Sequence, residues 1–599
     1  MTSTEKPETA AATETEPVYV PGQSPQMDAW FTSFFIENHL DYFTNPEKAA
    51  TEEQVRFMVY TEPNDRYYPC SDKMFAAIIA RKNSAHIQKA YNRVLQRLLA
   101  LIDKQIEDSQ EKTYLESLIF NKYQHETRDE IMIPSRLEKR LMRIYLNRTH
   151  IEDPYMVEKA TRNANAQALI DDPAFKQALN HVDEAALKNP PKTLDDIKRQ
   201  IASLEFQRLL CISNSPELWE GNEPQARSEE EYLAIFEKEI TGNGKRPLLN
   251  FLGFGREHTP KRRMILWLAD EAGQVVADLA VIRHLVAHGN KVIIAFKKGP
   301  LYTKTDIIDI TDDKVLCRAI GQAVIVEDPS LSKNALVRTL RGDTPLLVLS
   351  DGTSENLNLI LVSTSFARIF KEVDGVISRG MDQRRRFFNA RFQFTQDVFS
   401  IAPGEDGSVS IMYKPRHPKV IKFSHSDLEQ KAKKIIDQMK SAKEKGMTVI
   451  FYSGIIGSIP GKIETAKKIM SLFVDHLTQQ SSLTFIINPS QYYEPGMDAD
   501  DLMYMWEIVQ RSGMIDIWRF QTYEDIATSF KLMNQKIPPE WVGKDATYST
   551  GCTKEMAIAV DVQEHHPEMQ IIGPARERFM RRKDYGVGSM YDRRLGPVC

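Results

Sequence analysis

Apolar and polar positions follow two regimes along the chain. From Met27 to about Gly242 the apolar residues recur at helical spacing, as in Met74–Ile106, where Leu95, Leu98, Leu99 and Ile102 share one face. Strand-like runs are almost absent there, which predicts a helical domain. From Arg263 the pattern changes. Met264–Ala269 and Lys291–Phe296 are short, continuous apolar runs, the signature of strands buried on both faces. Between them Val275, Leu279, Ile282, Leu285 and Val286 repeat at helical spacing, and Gly289 is placed to end the helix. The unit is β-α-β, and a ligand would sit beyond the carboxyl ends of its strands. Those ends carry Asp270-Glu271 and the turn from Lys297 to Asp306.

Further strands are predicted at 323–326, 345–349, 374–377 and 397–401, with helices at 334–341 and 357–370 and a final hairpin over 403–413. A second alternating stretch begins near Ser426, with a helix over 428–445, a strand over 447–452 and another over 483–487. The expected fold is therefore α/β: a helical N-terminal domain, a three-layer α/β core and a second C-terminal α/β unit. Residues 1–26 read as a disordered tail, 27–245 as the helical domain, 246–425 as the core and 426–599 as the last unit. The stretch Asn214–Gly255, with Pro216, Pro224, Gly242, Gly244 and Pro247, reads as a junction.

Bulk composition narrows the function classes. At 599 residues the chain exceeds a single core. A net charge of −4 gives no global pull toward nucleic acid or an anionic membrane, so nucleic acid is disfavoured as a partner. No apolar run reaches the roughly 18 residues of a membrane span, and the start lacks a basic-then-apolar signal, so a cytoplasmic protein is expected. The five cysteines are scattered with no Cys-x-x-Cys pair, against a disulfide framework or a thiolate metal site.

The residues of the central unit resemble the damage-control phosphatases, the acidic-residue-methyltransferase-like metal-binding family. That family's strand end, Asp-Asn-x-Gly-Glu, is similar to Asp270-Glu271-Ala272-Gly273-Gln274, and its Lys-Gly-x-Pro turn to Lys297-Lys298-Gly299-Pro300. Asp153-Pro154-Tyr155 with Lys159 and Asn163 resembles its upstream motif. Ser350-Asp351-Gly352-Thr353, with Ser363, and Ile377-Ser378-Arg379-Gly380, with Gln383, resemble its downstream ones. The resemblance implies phosphate-ester hydrolysis at a divalent metal, Mg²⁺ or Mn²⁺, which polarises a phosphoryl oxygen and activates water. It assigns Asp270 and Glu271 as catalytic residues and metal ligands, and Asp306 as a third ligand. Lys297, Lys304, Ser350, Gly352, Thr353, Arg379 and Gln383 would bind a small phosphorylated substrate or nucleotide. The departures are Glu271 for Asn, Gln274 for Glu, Lys304 where the second metal-binding Asp falls, and Arg379 for Lys. Lys304 can place an ammonium where the metal would be.

Outside the core, Ser453–Lys462 is a strand-to-helix passage with Gly457, Gly461 and Lys462, an anion loop by type but one residue short of the Walker spacing. An ordinary tight turn is the alternative. Cys552 beside Lys554 lacks a base at recognisable spacing, and His565-His566 point apart on a helix. Arg384–Arg386 and the Arg/aromatic run over 576–594 could bind RNA, or pack on the protein's own acidic surface. Three functions stay open: a metal-dependent phosphatase, a catalytically silent binding or scaffold protein that has lost metal ligands, and an RNA- or nucleotide-associated factor acting through its C-terminal region. A homo-oligomer is compatible with each.

Overall fold

The alternation after residue 263 builds one mixed sheet. The structure, a computed structural model, describes residues 19, 22–40, 50–62, 65–81, 84–181, 193–255, 262–404, 406–459 and 461–580. Most of the expected tail, and the basic run beyond 580, lie outside these residues. The strands in chain order are β1 (Val59–Tyr60), β2 (Ile240–Thr241), β3 (Met264–Leu268), β4 (Lys291–Phe296), β5 (Val324–Val326), β6 (Leu346–Ser350), β7 (Gly375–Arg379), β8 (Gln393–Phe394), β9 (Asp397–Pro403) and β10 (Val409–Lys414). β1 and β8 form a small antiparallel pair, and the rest form a sheet of order β2-β10-β9-β7-β3-β4-β6-β5. Only β9 and β10 run antiparallel, as the hairpin predicts. β3 and β4 pair in parallel with Ile265 opposite Val292, and their side chains are buried on both faces.

Two findings depart from the sequence reading. The supposed junction is ordered: β2 pairs with β10 and extends the sheet, and Gly242 lies so close to Ile411 that a Cβ would meet its carbonyl oxygen. Phe206, Leu209 and Trp219 of the helical stretch share one apolar cluster with Trp267, Leu279 and Ile294 of the sheet. The break expected near 245 is thus absent, because helices and sheet have a common core. The helix expected over 357–370 starts only at Thr364, where Ser363 caps it by accepting from the Phe366 amide at 3.1 Å.

The chain divides into two compact units. The first takes the described residues up to Leu331 and those of Arg341–Pro418. The second takes Ser332–Leu340 and the described residues from Lys419 onward. This second unit is a parallel sheet, with β11 (Thr448–Ser453), β12 (Thr484–Ile487), β13 (Ile517–Phe520) and β14 (Gln570–Ile572) in the order β12-β11-β13-β14. Capping boxes at Ser424/Asp427, Asp498/Asp501 and Thr522/Asp525 start three of its helices. Lys333 reaches Asp501 at 2.6 Å, a buried pair that joins the discontinuous segment to the rest of its unit.

Glu555 of this unit is fully enclosed, and its carboxyl is pushed up to about 7 by burial, with hydrogen bonding from Ser453, Gln510 and Cys552 opposing. A carboxyl held above its ordinary value of 4.5 binds a proton more readily in the folded state. Stability is therefore fullest below about pH 4.5 and declines as pH rises through 7, by up to about 3 kcal/mol for this group. Glu555→Gln should flatten that decline in chemical denaturation at pH 5 and pH 8. An unaltered pH profile would show that the carboxyl is ionised throughout.

Candidate functional site

β3 ends at Leu268, and the chain passes through Ala269, Asp270 and Glu271 into the helix Gln274–Ala287. Gly273 makes this entry with φ +80°, pressed against the Trp219 ring. The turn after β4 folds back over the same strand ends. The Thr305 amide donates to the Asp270 carbonyl at 2.8 Å and the Ala272 amide to Thr303 at 2.9 Å. This lacing sets Lys304 opposite Glu271. The Lys304 ammonium consequently lies 2.5 Å from Asp270, 3.2 Å from Glu271 and 3.6 Å from Asp382. Thr303 holds the second oxygen of Glu271 at 2.6 Å. Gly380, at φ +78°, packs against Asp270 so closely that a Cβ would overlap the carboxylate.

Burial alone would strip Lys304 of its charge, but Asp270, Glu271 and Asp382 hold its ammonium well above the ordinary lysine value. Burial likewise opposes ionisation of Glu271 and Asp382, and Lys304 overcomes it, keeping both below the ordinary range. Asp270 differs: burial pushes its carboxyl up to about 6 with Lys304 opposing, so the ammonium offsets the charge of the cluster without cancelling the cost of enclosing Asp270.

A second ammonium does the same beside them. Lys159, in the helix Met156–Asp171, contacts Asp153 at 2.7 Å, Asp306 at 3.0 Å and Asp309 at 2.7 Å, and is almost fully buried. Asp306, expected as a third ligand beside Asp270, instead accepts from Lys159 and from the Ile308 amide at 2.8 Å. Lys159 anchors Asp306 at this place, so it does not join Asp270. Asn163 accepts from the Gly273 amide at 2.7 Å and donates to Asp313 at 2.8 Å, so the upstream motif braces the turn.

The expected substrate contacts are occupied too. Lys297 donates to Asp351 at 2.7 Å and Thr353 at 3.3 Å, both buried. Ser350 accepts from the Gly352 amide at 3.1 Å, and Gly352, at φ +88°, leaves no room for a Cβ beside Ser363. Gln383 donates to the Ala269 carbonyl at 2.9 Å. Arg379 departs most from expectation. It is fully buried, its Nε shared between the two carboxylate oxygens of Asp278 at 2.9 and 3.0 Å, and it donates further to the carbonyls of Ser213 and Ile401. Its guanidinium is a structural cross-brace with no capacity left for an external anion.

The sequence reading missed Asp278, Asp351, Asp382 and Asp309 as partners. Asp278 carried a signal, as the one acid in the largely apolar helix from Gln274 to Ala287. Asp351 sits on a turn and Asp309 and Asp382 in the first turn of a helix, places where an acid is ordinary. In the second unit Lys462 pairs with Glu540 at 2.8 Å, while Gly457 and Gly461 have open surroundings. Cys552 is buried and donates to the Gly454 carbonyl at 3.3 Å. Arg384 is buried against Ser400 and Ser410.

A family implying a divalent metal can be tested against these donors. Such an ion takes oxygen ligands at about 2.0–2.6 Å. At Asp270 and Glu271 the Lys304 ammonium already stands in that place. Asp153, Asp306 and Asp309 offer carboxylate oxygens within 4.8 Å of one another, but Lys159 occupies their centre. Neither donor set fits a metal as built.

Comparison with known proteins bears on the same region. The model of the damage-control phosphatase ARMT1-like domain matches residues 86–403, more than half of the chain. No curated protein compared with the chain matches it. Among solved structures, a DUF89 family protein from Pyrococcus horikoshii is similar, with 16% identity and a TM-score of 0.36, over 54% of this chain and 98% of that one. Among the described residues no helix is long and apolar enough to cross a membrane.

Proposed function

Since the chain belongs to the damage-control phosphatase ARMT1-like family, whose activity is directed at phosphorylated metabolites, we propose that it is a catalytically silent member, a binding or scaffold protein without the metal-dependent step. One observation carries this reading: Lys304 stands at the position of the second metal-binding carboxylate and closes an ion-pair cluster with Asp270, Glu271 and Asp382. An ammonium with fixed carboxylate partners can neither polarise a phosphoryl oxygen as a divalent ion does nor bring a bound water to neutral acidity. A small phosphorylated metabolite as partner, and a cytoplasmic setting, belong to the same proposal.

Mn²⁺ should leave the thermal midpoint of the wild type unchanged, and p-nitrophenyl phosphate should not be turned over. Lys304→Asp should lower stability without metal and recover it with Mn²⁺, by about 2.7 kcal/mol at a hundred times the dissociation constant. Mn²⁺-dependent turnover by the wild type that disappears in Asp270→Ala would sink the proposal. The competing reading, metal-dependent hydrolysis, is favoured by the Asp153, Asp306 and Asp309 group. It requires Lys159 to withdraw, and predicts turnover abolished by Asp306→Ala.

A further inference from the structure

The turn that carries Lys304 is held in a shape its sequence does not favour. The Lys304 amide donates to the Leu301 carbonyl at 3.1 Å, which closes a turn with Tyr302 at its first central position. Tyr302 has φ +52°. A turn that needs positive φ there ordinarily takes glycine, and for a bulky side chain the left-handed region is strained. Such strain persists where the surroundings over-determine the backbone.

The surroundings here are side chains from three other places in the same unit. Tyr302 is buried, and the Arg97 guanidinium of the helix Ala85–Gln105 lies over its ring, 3.5 Å from the centroid. Tyr155, which starts the helix Met156–Asp171, meets the same ring edge-on at 5.8 Å. Arg97 is fixed in turn by Glu138 of the helix Pro134–Thr149 at 3.3 Å, and Glu138 lies close to the Tyr302 hydroxyl. A cation seated on an aromatic face and anchored by a carboxylate is a directional contact. It fixes the ring, and the ring fixes the backbone of Tyr302. The lacing of the turn to β3 runs through the Thr303 carbonyl and the Thr305 amide, and neither bond involves Tyr302. With its ring released, Tyr302 returns to negative φ, the bond from Lys304 to Leu301 opens, and the ammonium leaves its carboxylates.

We propose that Arg97, Glu138 and Tyr302 form a clasp that keeps this turn strained and the Lys304 ammonium seated on Asp270 and Glu271. Tyr302 is then the positioning residue for Lys304, and the covered state of the carboxylates is a held state that the clasp can release. This rests on the reading that Lys304 stands where the metal would be.

Reductive methylation of the lysines in the full-length protein, read by mass spectrometry, tests it. Lys298 is exposed and sets the scale, while the buried Lys159 and Lys297 report on the fold as a whole. Lys304 of the wild type should react far more slowly than Lys298. Arg97→Ala should speed the reaction of Lys304 about tenfold, with Lys159 and Lys297 still protected. Adding Tyr302→Gly to Arg97→Ala should restore protection, because glycine is at ease at φ +52° and needs no clasp. If the ring served packing alone, the double variant would be the looser of the two. A wild-type Lys304 as reactive as Lys298, an Arg97→Ala variant with Lys304 as slow as the wild type, a double variant no better protected than the single one, or a joint rise of Lys159 and Lys297 would each overturn the clasp. Mn²⁺-dependent turnover decides the silent reading and methylation decides the clasp, so each can fail alone.

Discussion

Arg379→Ala should destabilise the first unit by about 3–5 kcal/mol, the usual cost of breaking a buried ion pair from one side. Arg379 and Asp278 are both fully enclosed, and the guanidinium spans Asp278, Ser213 and Ile401. Removing it leaves the Asp278 carboxylate with the Trp267 indole N–H at 3.1 Å and no compensating charge. It also removes a donor from the backbone carbonyls of Ser213 and Ile401. Arg379→Lys would restore the charge without the planar fork, so an intermediate loss is expected. Urea denaturation of the three proteins gives the comparison. An alanine variant within about 1 kcal/mol of the wild type would mean that Asp278 finds another partner or a proton.

Lys159→Met should have a comparable effect, with a pH signature of its own. Methionine fills much of the same space, yet leaves Asp153, Asp306 and Asp309 facing one another. Even with Lys159 present, burial and then Asp306 push the Asp309 carboxyl up to about 6. A raised carboxyl favours the folded state while protonated, so its contribution falls as pH rises from about 4 through 6. Without the lysine the mutual repulsion is uncompensated above that range. The deficit of Lys159→Met should therefore be largest, about 3 kcal/mol or more, at pH 7–8, and shrink toward pH 5. A deficit that is the same at both pH values would argue that lost packing, not charge, is responsible.

Strands and helices were legible where local pattern decides them. The runs at 264–269 and 291–296, the helix between, and the 403–413 hairpin appear within a residue or two of their expected places. β13 and β14 were not anticipated: Ile517–Phe520 and Gln570–Ile572 are short runs diluted by Arg519 and Gln570, and their pairing comes from distant strands. The motif positions were legible as well, but their partners were not. Arg379 meets Asp278 across 101 positions and Lys159 meets Asp309 across 150, so no local spacing discloses either pair. The substitution at Lys304 was visible in the sequence. That its ammonium would be folded onto Asp270 depended on the turn's backbone lacing to β3.

The helix at Lys333–Arg341 bears on how the protein is made. Its residues up to Leu340 belong to the second unit, yet they are synthesised between β5 and β6 of the first. As the chain emerges from the ribosome, Lys333 precedes its partner Asp501 by 168 positions. The first unit must therefore complete its sheet around a segment that still awaits its partners. The same arrangement binds the two units genetically: a fragment beginning at residue 419 would carry Asp501 and Glu507 without Lys333 and Asn334. Neither unit can be cut out, swapped or duplicated in evolution at a single break in the gene.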